Sequence, residues 1–373
     1  MINLNDDKKI KEYFNEFVEL IGNIGYKSII VTHLIPDKLQ FIEALDKICP
    51  ISFIIPKPKS INQEVRKVIS EKYSIEFLTR EDITNFTKVR RLIDKYLGNE
   101  KFIILDVGGY FATALDQLKE FYSSQIIGIV EDTENGQQKY DKHKILPIPV
   151  ISVARSILKD PEDFLVGQSI VFSAEVIMRE INEIFTGKRA LVLGYGKIGH
   201  SIAQFLSSRN LVVHVFDQDP TKRLRAFSHG FQIPDREVAI KNADLIFSAT
   251  GKKSLTHYDF TLFKDGCAIF SATSSDDEFF ITDDYGNYKE IKVSAYITKY
   301  KSDKNYFYIA NKGNAVNFIH GAKVGKFIHL VQGEIIMAIN HISNISSKNV
   351  AKVPEQYKKD IATMWIKYFN TYK

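Results

Sequence analysis

Gly194-Tyr195-Gly196-Lys197-Ile198-Gly199 is the segment of this 373-residue chain whose spacing points most directly to chemistry. Before it, Ala190 to Leu193 is an apolar run of the length of a buried strand. After it come a segment of helical period and a second strand, Leu211 to Phe216, ending at Asp217. In such a strand–turn–helix–strand unit Gly194 permits the tight turn, Gly196 lets the backbone approach a pyrophosphate, and Gly199 lets the helix pack close to the strand. The helix start offers unpaired N–H groups and a partial positive charge to the phosphates. Asp217 lies eighteen residues past Gly199, where a carboxylate can accept from both ribose hydroxyls. That acid favours NAD over NADP, because it repels a 2′-phosphate; Lys222 and Arg223 temper the preference. The reading is a bound dinucleotide, set against a purely structural glycine turn.

The elements around this turn read as α/β. Ser28–Val31, Ile51–Ile55, Ile75–Leu78, Phe102–Leu105 and Ile126–Val130 read as strands. Pro36–Ile48, Asn62–Ser70 and Thr87–Tyr96 have helical spacing. A long helix, Phe164 to Phe185, leads into the glycine-turn strand. Ala243–Ser248 and Ala268–Ser271 continue a second parallel sheet, and residues 280 to 316 read as short strands with turns at Tyr285-Gly286 and Lys312-Gly313. Lys326 to His341 and Gln356 to Tyr368 read as closing helices. The fold class is therefore two doubly wound parallel-sheet domains. A Rossmann NAD-binding domain, 167–321, is inserted in a discontinuous substrate-binding domain, 1–166 plus 322–373.

With 45% hydrophobic and 25% charged residues the composition is that of a globular protein. The net charge of +5 comes from scattered lysines with no basic stripe, so a nucleic-acid partner is not expected. No apolar run reaches membrane-spanning length and no signal-peptide core opens the chain, so the expected location is cytoplasmic. Cys49 and Cys267 read as buried free thiols, and no Cys/His spacing suggests a metal.

Several segments, in order, resemble the S-adenosyl-L-homocysteine hydrolase family. They are ILDVGGYFATAL (104–115), GIVEDTENG (128–136), VISVARSILKDPED (150–163), LVLGYGKIGHSIAQFL with FDQDP, SATGKKSL, and YFYIANKGNAVNF (306–318). The resemblance runs from about Ser28 to about Ile339. It implies a small-molecule nucleoside substrate and a tightly bound NAD. In that family the cofactor oxidises the 3′-hydroxyl, the acidified 4′ proton is removed, the 5′ thiol is eliminated, water adds, and the ketone is reduced again. By position, the resemblance makes Lys159 the lysine at the 3′-hydroxyl and Asp163 the sugar-binding aspartate. Asp132 replaces a ribose-binding glutamate. His33 is the histidine at the 5′ end, and Asp37 replaces a glutamate near the adenine. Thr133, Thr250, Gly251 and Asn317 join Lys197 and Ile198 as cofactor contacts.

The departures from the family are specific. Val107 stands in place of an aspartate implicated in proton transfer, and Ser274 in place of a histidine. Ala154 and Phe164 replace two asparagines. HGAKVGKF replaces the adenine-side segment, with His320 as a substitute for its histidine. The chain stops before a family tail whose lysine and tyrosine reach a neighbour's cofactor, so a divergent, C-terminally shortened member without that mutual clasp is expected; long helices such as Ser169–Phe185 that could pair make a homodimer or larger homo-oligomer the expectation.

Structural alternatives stand beside these roles. His33 could be a core histidine. Lys159 and Asp163 could be a helical i,i+4 pair, although Pro161 disfavours a regular helix there. Asp132 could cap a helix, and Asp106 a turn. Ser274 and Ser275 could be solvated loop serines, and His200 a solvated helix-start residue. Three functions follow: an NAD-dependent hydrolase of this type, on the same or an altered nucleoside; a catalytically silent NAD- or nucleoside-binding regulator; and a simple NAD-dependent dehydrogenase.

Overall fold

The computed structural model describes residues 4–273, 288–320 and 324–370. The chain divides into two compact units, Met1–Lys159 with Lys326–Lys373, and Asp160–Gly325. Both are α/β. Among the described residues no helix is long and apolar enough to cross a membrane.

The first unit is built on a five-stranded, all-parallel sheet of order β2-β1-β3-β4-β5. The strands are β1 Lys27–Leu34, β2 Ile51–Ile61, β3 Phe102–Asp106, β4 Ile126–Glu131 and β5 Val150–Ser152. Every residue of β3 is buried, as expected for a strand covered on both faces. Alternate residues of β1 feed two cores: Ile29 and Val31 pack on one side with α4 Arg80–Asn85, α5 Thr87–Leu97 and α6 Leu115–Tyr122. Ile30 packs on the other with α1 Leu4–Ile21, α2 Leu39–Ile48, α3 Gln63–Ser70 and the helices Ile328–His341 and Glu355–Phe369. Because β1 sits between β2 and β3, the chain's direction of winding reverses there. Ligands of such sheets bind outside the carboxyl ends of the strands at that reversal.

The second unit has a seven-stranded sheet of order β10-β11-β12-β9-β8-β6-β7. Its parallel part runs through β6 Arg189–Leu193, β7 Val212–Phe216, β8 Leu245–Ser248, β9 Cys267–Ser271 and β12 Tyr306–Ala310. β10 Lys289–Lys292 and β11 Ile297–Lys301 extend it antiparallel. Here β6 is the central strand of the reversal, flanked by β7 and β8, which is the Rossmann arrangement.

Two sequence expectations change. Ile75–Leu78 is not a strand: only Ile75 bridges to Ile54, and Thr79 already caps α4, leaving too little chain to extend the pairing. The long helix is α8, Asp160–Glu180, rather than 164–185. Pro161 falls in its first turn, where its missing N–H costs nothing, and Asp160, Glu162 and Asp163 complement the helix's positive end. Cys49 and Cys267 are free and buried.

Candidate active site and cofactor site

In the second unit the glycine turn joins β6 to α9, Lys197–Ser207. Gly199 must be glycine because a Cβ there would collide with the Gly194 carbonyl, the contact that lets helix and strand close up. Gly196 differs. Its φ of −75° suits any residue, and a Cβ would meet nothing within 4 Å. The fold therefore does not need glycine at 196, whereas a phosphate approaching the uncapped start of α9 would. Asp217, at the end of β7, accepts from Tyr195 N at 2.7 Å and Asp219 N at 2.9 Å. Each carboxylate oxygen keeps a lone pair for a ribose hydroxyl. Lys222 stands 3.8 Å from it. Thr250 and Gly251 follow β8, beside the same turn, and the buried Asn317 Oδ1 accepts no hydrogen bond. These are residues that fit a dinucleotide.

In the first unit polar side chains collect at the carboxyl ends of the strands. Lys159 and Asp132, 7% and 8% exposed, form an ion pair at 3.0 Å. Burial pushes the Asp132 carboxyl up, but Lys159 and Lys38 outweigh it and hold the group below its ordinary value. His33, near the end of β1, has Nδ1 against Ser60 Oγ. Burial, then Lys57 and Lys38, drive its pKa well below the usual imidazole range, so the ring is neutral. Beneath them a second network fixes the loop after β3. Asp106 accepts from Tyr110 N, Phe111 N and Tyr140 Oη; Glu131 accepts from Gly108 N, Gly109 N and Thr133. Burial, then the neighbouring Asp106, pushes Glu131 up to about 8.

Some expectations about single residues are corrected. Lys159 ends a 3-10 turn, Ile157–Lys159, before α8 begins, so it is not the helical partner of Asp163. Asp163 belongs to the second unit and lies 3.7 Å from Lys197, which also pairs with Asp160 at 2.7 Å. Asp132 is no helix cap: Thr133 caps α7, Glu134–Tyr140, through Gly136 N. The Thr133 hydroxyl, expected at the cofactor, is thus engaged by Gly136 and Glu131. His200 packs between the Tyr195 and His229 rings with Nε2 buried. His320, in the second unit, contacts Ser173 Oγ at 3.0 Å and the Phe172 ring. Asp37 keeps a buried Oδ1 with no hydrogen bond. Val107 is buried. Ser274, Ser275, the acidic run after them and the Tyr285-Gly286 turn lie outside the described residues.

The sequence reading missed Glu334, Lys57 and Lys38. Glu334 is fully buried in the helix Ile328–His341, whose residues from Ile328 to Ile339 are all buried. A glutamate inside so apolar a helix was the available signal. Burial pushes its carboxyl up to about 7, against Ser156, Lys358 and Lys159. Lys57 was legible as a basic residue breaking an apolar strand.

The fold and the glycine turn define an α/β protein with a Rossmann dinucleotide-binding unit. Residues 166–322 match the family described as S-adenosyl-L-homocysteine hydrolase, NAD binding domain. The chain is 28% identical over 285 residues to adenosylhomocysteinase of Pyrococcus abyssi, covering 72% of this chain and 64% of that protein. It is 25% identical over 284 residues to adenosylhomocysteinase of Thermoplasma acidophilum, covering 74% and 66%. The match thus spans just under two thirds of the relatives' length. A solved structure described as a D-isomer specific 2-hydroxyacid dehydrogenase, NAD-binding, from Polaromonas is 15% identical, covering 70% of this chain and 76% of that one. Its TM-score is 0.42, too low to bear on function. The chain is thus similar to adenosylhomocysteinases over about three quarters of its length, and its cofactor is NAD.

Proposed function

We propose that this protein is an NAD-dependent enzyme of the S-adenosylhomocysteine hydrolase type, acting on a 5′-substituted nucleoside. The buried Lys159–Asp132 pair, at the strand ends beside a neutral His33, is the observation that carries the reading. When bound, NAD would supply a reversible hydride acceptor for the sugar 3′ carbon. Gly194, Gly196, Lys197, Ile198, Gly199, Asp217, Thr250, Gly251 and Asn317 hold it. Lys159, kept in place by Asp132, takes and returns the proton of the 3′-hydroxyl. Asp163 binds the sugar. His33, neutral and therefore able both to give and to accept, serves the proton at the 5′ atom. Asp37 offers its unpaired oxygen to the base.

A silent NAD- or nucleoside-binding regulator is the second reading, favoured by Val107 in place of an acid. One experiment separates them. The NAD-loaded protein is mixed with S-adenosylhomocysteine, adenosine and 5′-modified nucleosides while the absorbance of reduced nicotinamide and the products are followed. Cofactor reduction with turnover supports the enzyme. Binding of nucleoside with neither reduction nor product would replace it with the regulator.

A further inference from the structure

The β1–β2 pairing is irregular at one place. Thr32 faces Pro56 and Leu34 faces Ile61, so the four residues 57–60 lie opposite His33 alone. Bulges of this kind re-aim side chains beside sites. This one brings Ser60 to the His33 ring and turns the Lys57 ammonium toward the loop after β3. There it lies 3.1 Å from where a Cβ on Gly108 would stand, with Arg80 also close. Lys38, 7% exposed, comes from the turn that follows β1.

Neither Lys38 nor Lys57 has an ion-pair partner within 4.0 Å among the described residues. The nearby acids are committed elsewhere. Asp132 holds Lys159, Asp106 holds two backbone N–H groups and Tyr140, and Glu131 holds the Gly108 and Gly109 N–H groups with Thr133. Lys57, half-buried, and Lys38, buried, feel Glu131 and Asp132 only through space and make no direct ion pair among the described residues, so an arriving anion lowers the cost of holding the two ammonium groups there.

We propose that the subsite formed by Lys57, Lys38 and His33 receives an anionic oxyacid group, such as a phosphate, carried at the 5′ position of the nucleoside. This rests on the reading above, which puts His33 at the 5′ end. A substrate charged there binds more tightly than its uncharged parent, and Lys57 sets the preference.

The test is calorimetric titration of the NAD-loaded protein with adenosine, adenosine 5′-monophosphate and inorganic phosphate, with cofactor reduction followed in parallel. The expected result is affinity for the monophosphate at least about tenfold above that for adenosine. That ratio should collapse toward one in Lys57→Met and recover in Lys57→Arg. Lys38→Met, which should lower the ratio by itself, serves should Lys57→Met fail to fold. Equal affinities in the unaltered protein, or a ratio indifferent to both lysines, overturn the inference; the hydrolase-type reading then stands if adenosine still reduces the cofactor. A lysine-dependent preference without cofactor reduction by any nucleoside keeps the anion subsite and removes the redox reading. Inorganic phosphate competing as well as the monophosphate would make this a free-anion site and overturn the nucleotide assignment.

Discussion

Lys159 and Asp132 do two jobs that mutation can separate. Lys159→Ala leaves a buried carboxylate unpaired and should destabilise the fold by about 3–5 kcal/mol. On the proposed function it should also cut nucleoside-dependent cofactor reduction by about 10²–10⁴-fold. Adding Asp132→Asn should restore much of the stability, seen by urea denaturation, and none of the activity. Glu334 makes a different prediction. Its carboxyl titrates near 7 in the folded protein, against an ordinary 4.5. Between those values the folded state keeps a proton that the unfolded chain has released, so stability falls as pH rises through that window and levels off above it. The total is about 3 kcal/mol, from the size of the shift. Ser156, Lys358, Lys159 and Asp132 are the groups facing it. In Glu334→Gln this slope should vanish, and the variant should be the more stable protein above pH 7. Parallel denaturation midpoints for the two proteins across the window would refute the assignment.

At the scale of elements, the glycine turn separates what the fold requires from what a ligand requires. Gly199→Ala drives a methyl into the Gly194 carbonyl and should lower the melting temperature with or without NAD. Gly196→Ala enters open space on an ordinary backbone conformation, so the melting temperature without NAD should fall by no more than a few degrees, the cost of alanine in place of glycine at a helix start. The same methyl occupies the approach to α9, and NAD affinity should drop at least about tenfold, measured by titration. Unchanged affinity would remove the pyrophosphate from this turn. This element was fully legible in sequence, because its function depends on local backbone geometry: turn, helix start and strand-end acid all fall within residues 190–217. Pro161 was read as an obstacle to a helix, yet the structure uses it to begin one, since proline's missing N–H is harmless only in the first turn.

For the whole molecule, NAD at about a hundred times its dissociation constant should stabilise the protein by about 2.7 kcal/mol. For a cooperative unit of this size that is a rise in melting temperature of about 5–10 °C. A calorimetric scan showing no rise would count against NAD as the resident dinucleotide. The sequence by itself determined the α/β class, the strands that alternate with helices, and the glycine-turn unit with Asp217. These follow from periodicity and from spacing within a few tens of residues. It also pointed to Lys159, Asp132 and His33, but only through the order of short segments, and it left helix caps and ion pairs open as alternatives. Only the tertiary structure decided among them. It paired Lys159 with Asp132 across 27 positions of chain and gave Asp163 to the other unit. It also brought Glu334, nearly two hundred residues further on, into the electrostatic field of that pair. The physical reason is the parallel sheet: it gathers the carboxyl ends of strands remote in sequence, and the charge of each group there is set by burial and by neighbours that no local pattern records.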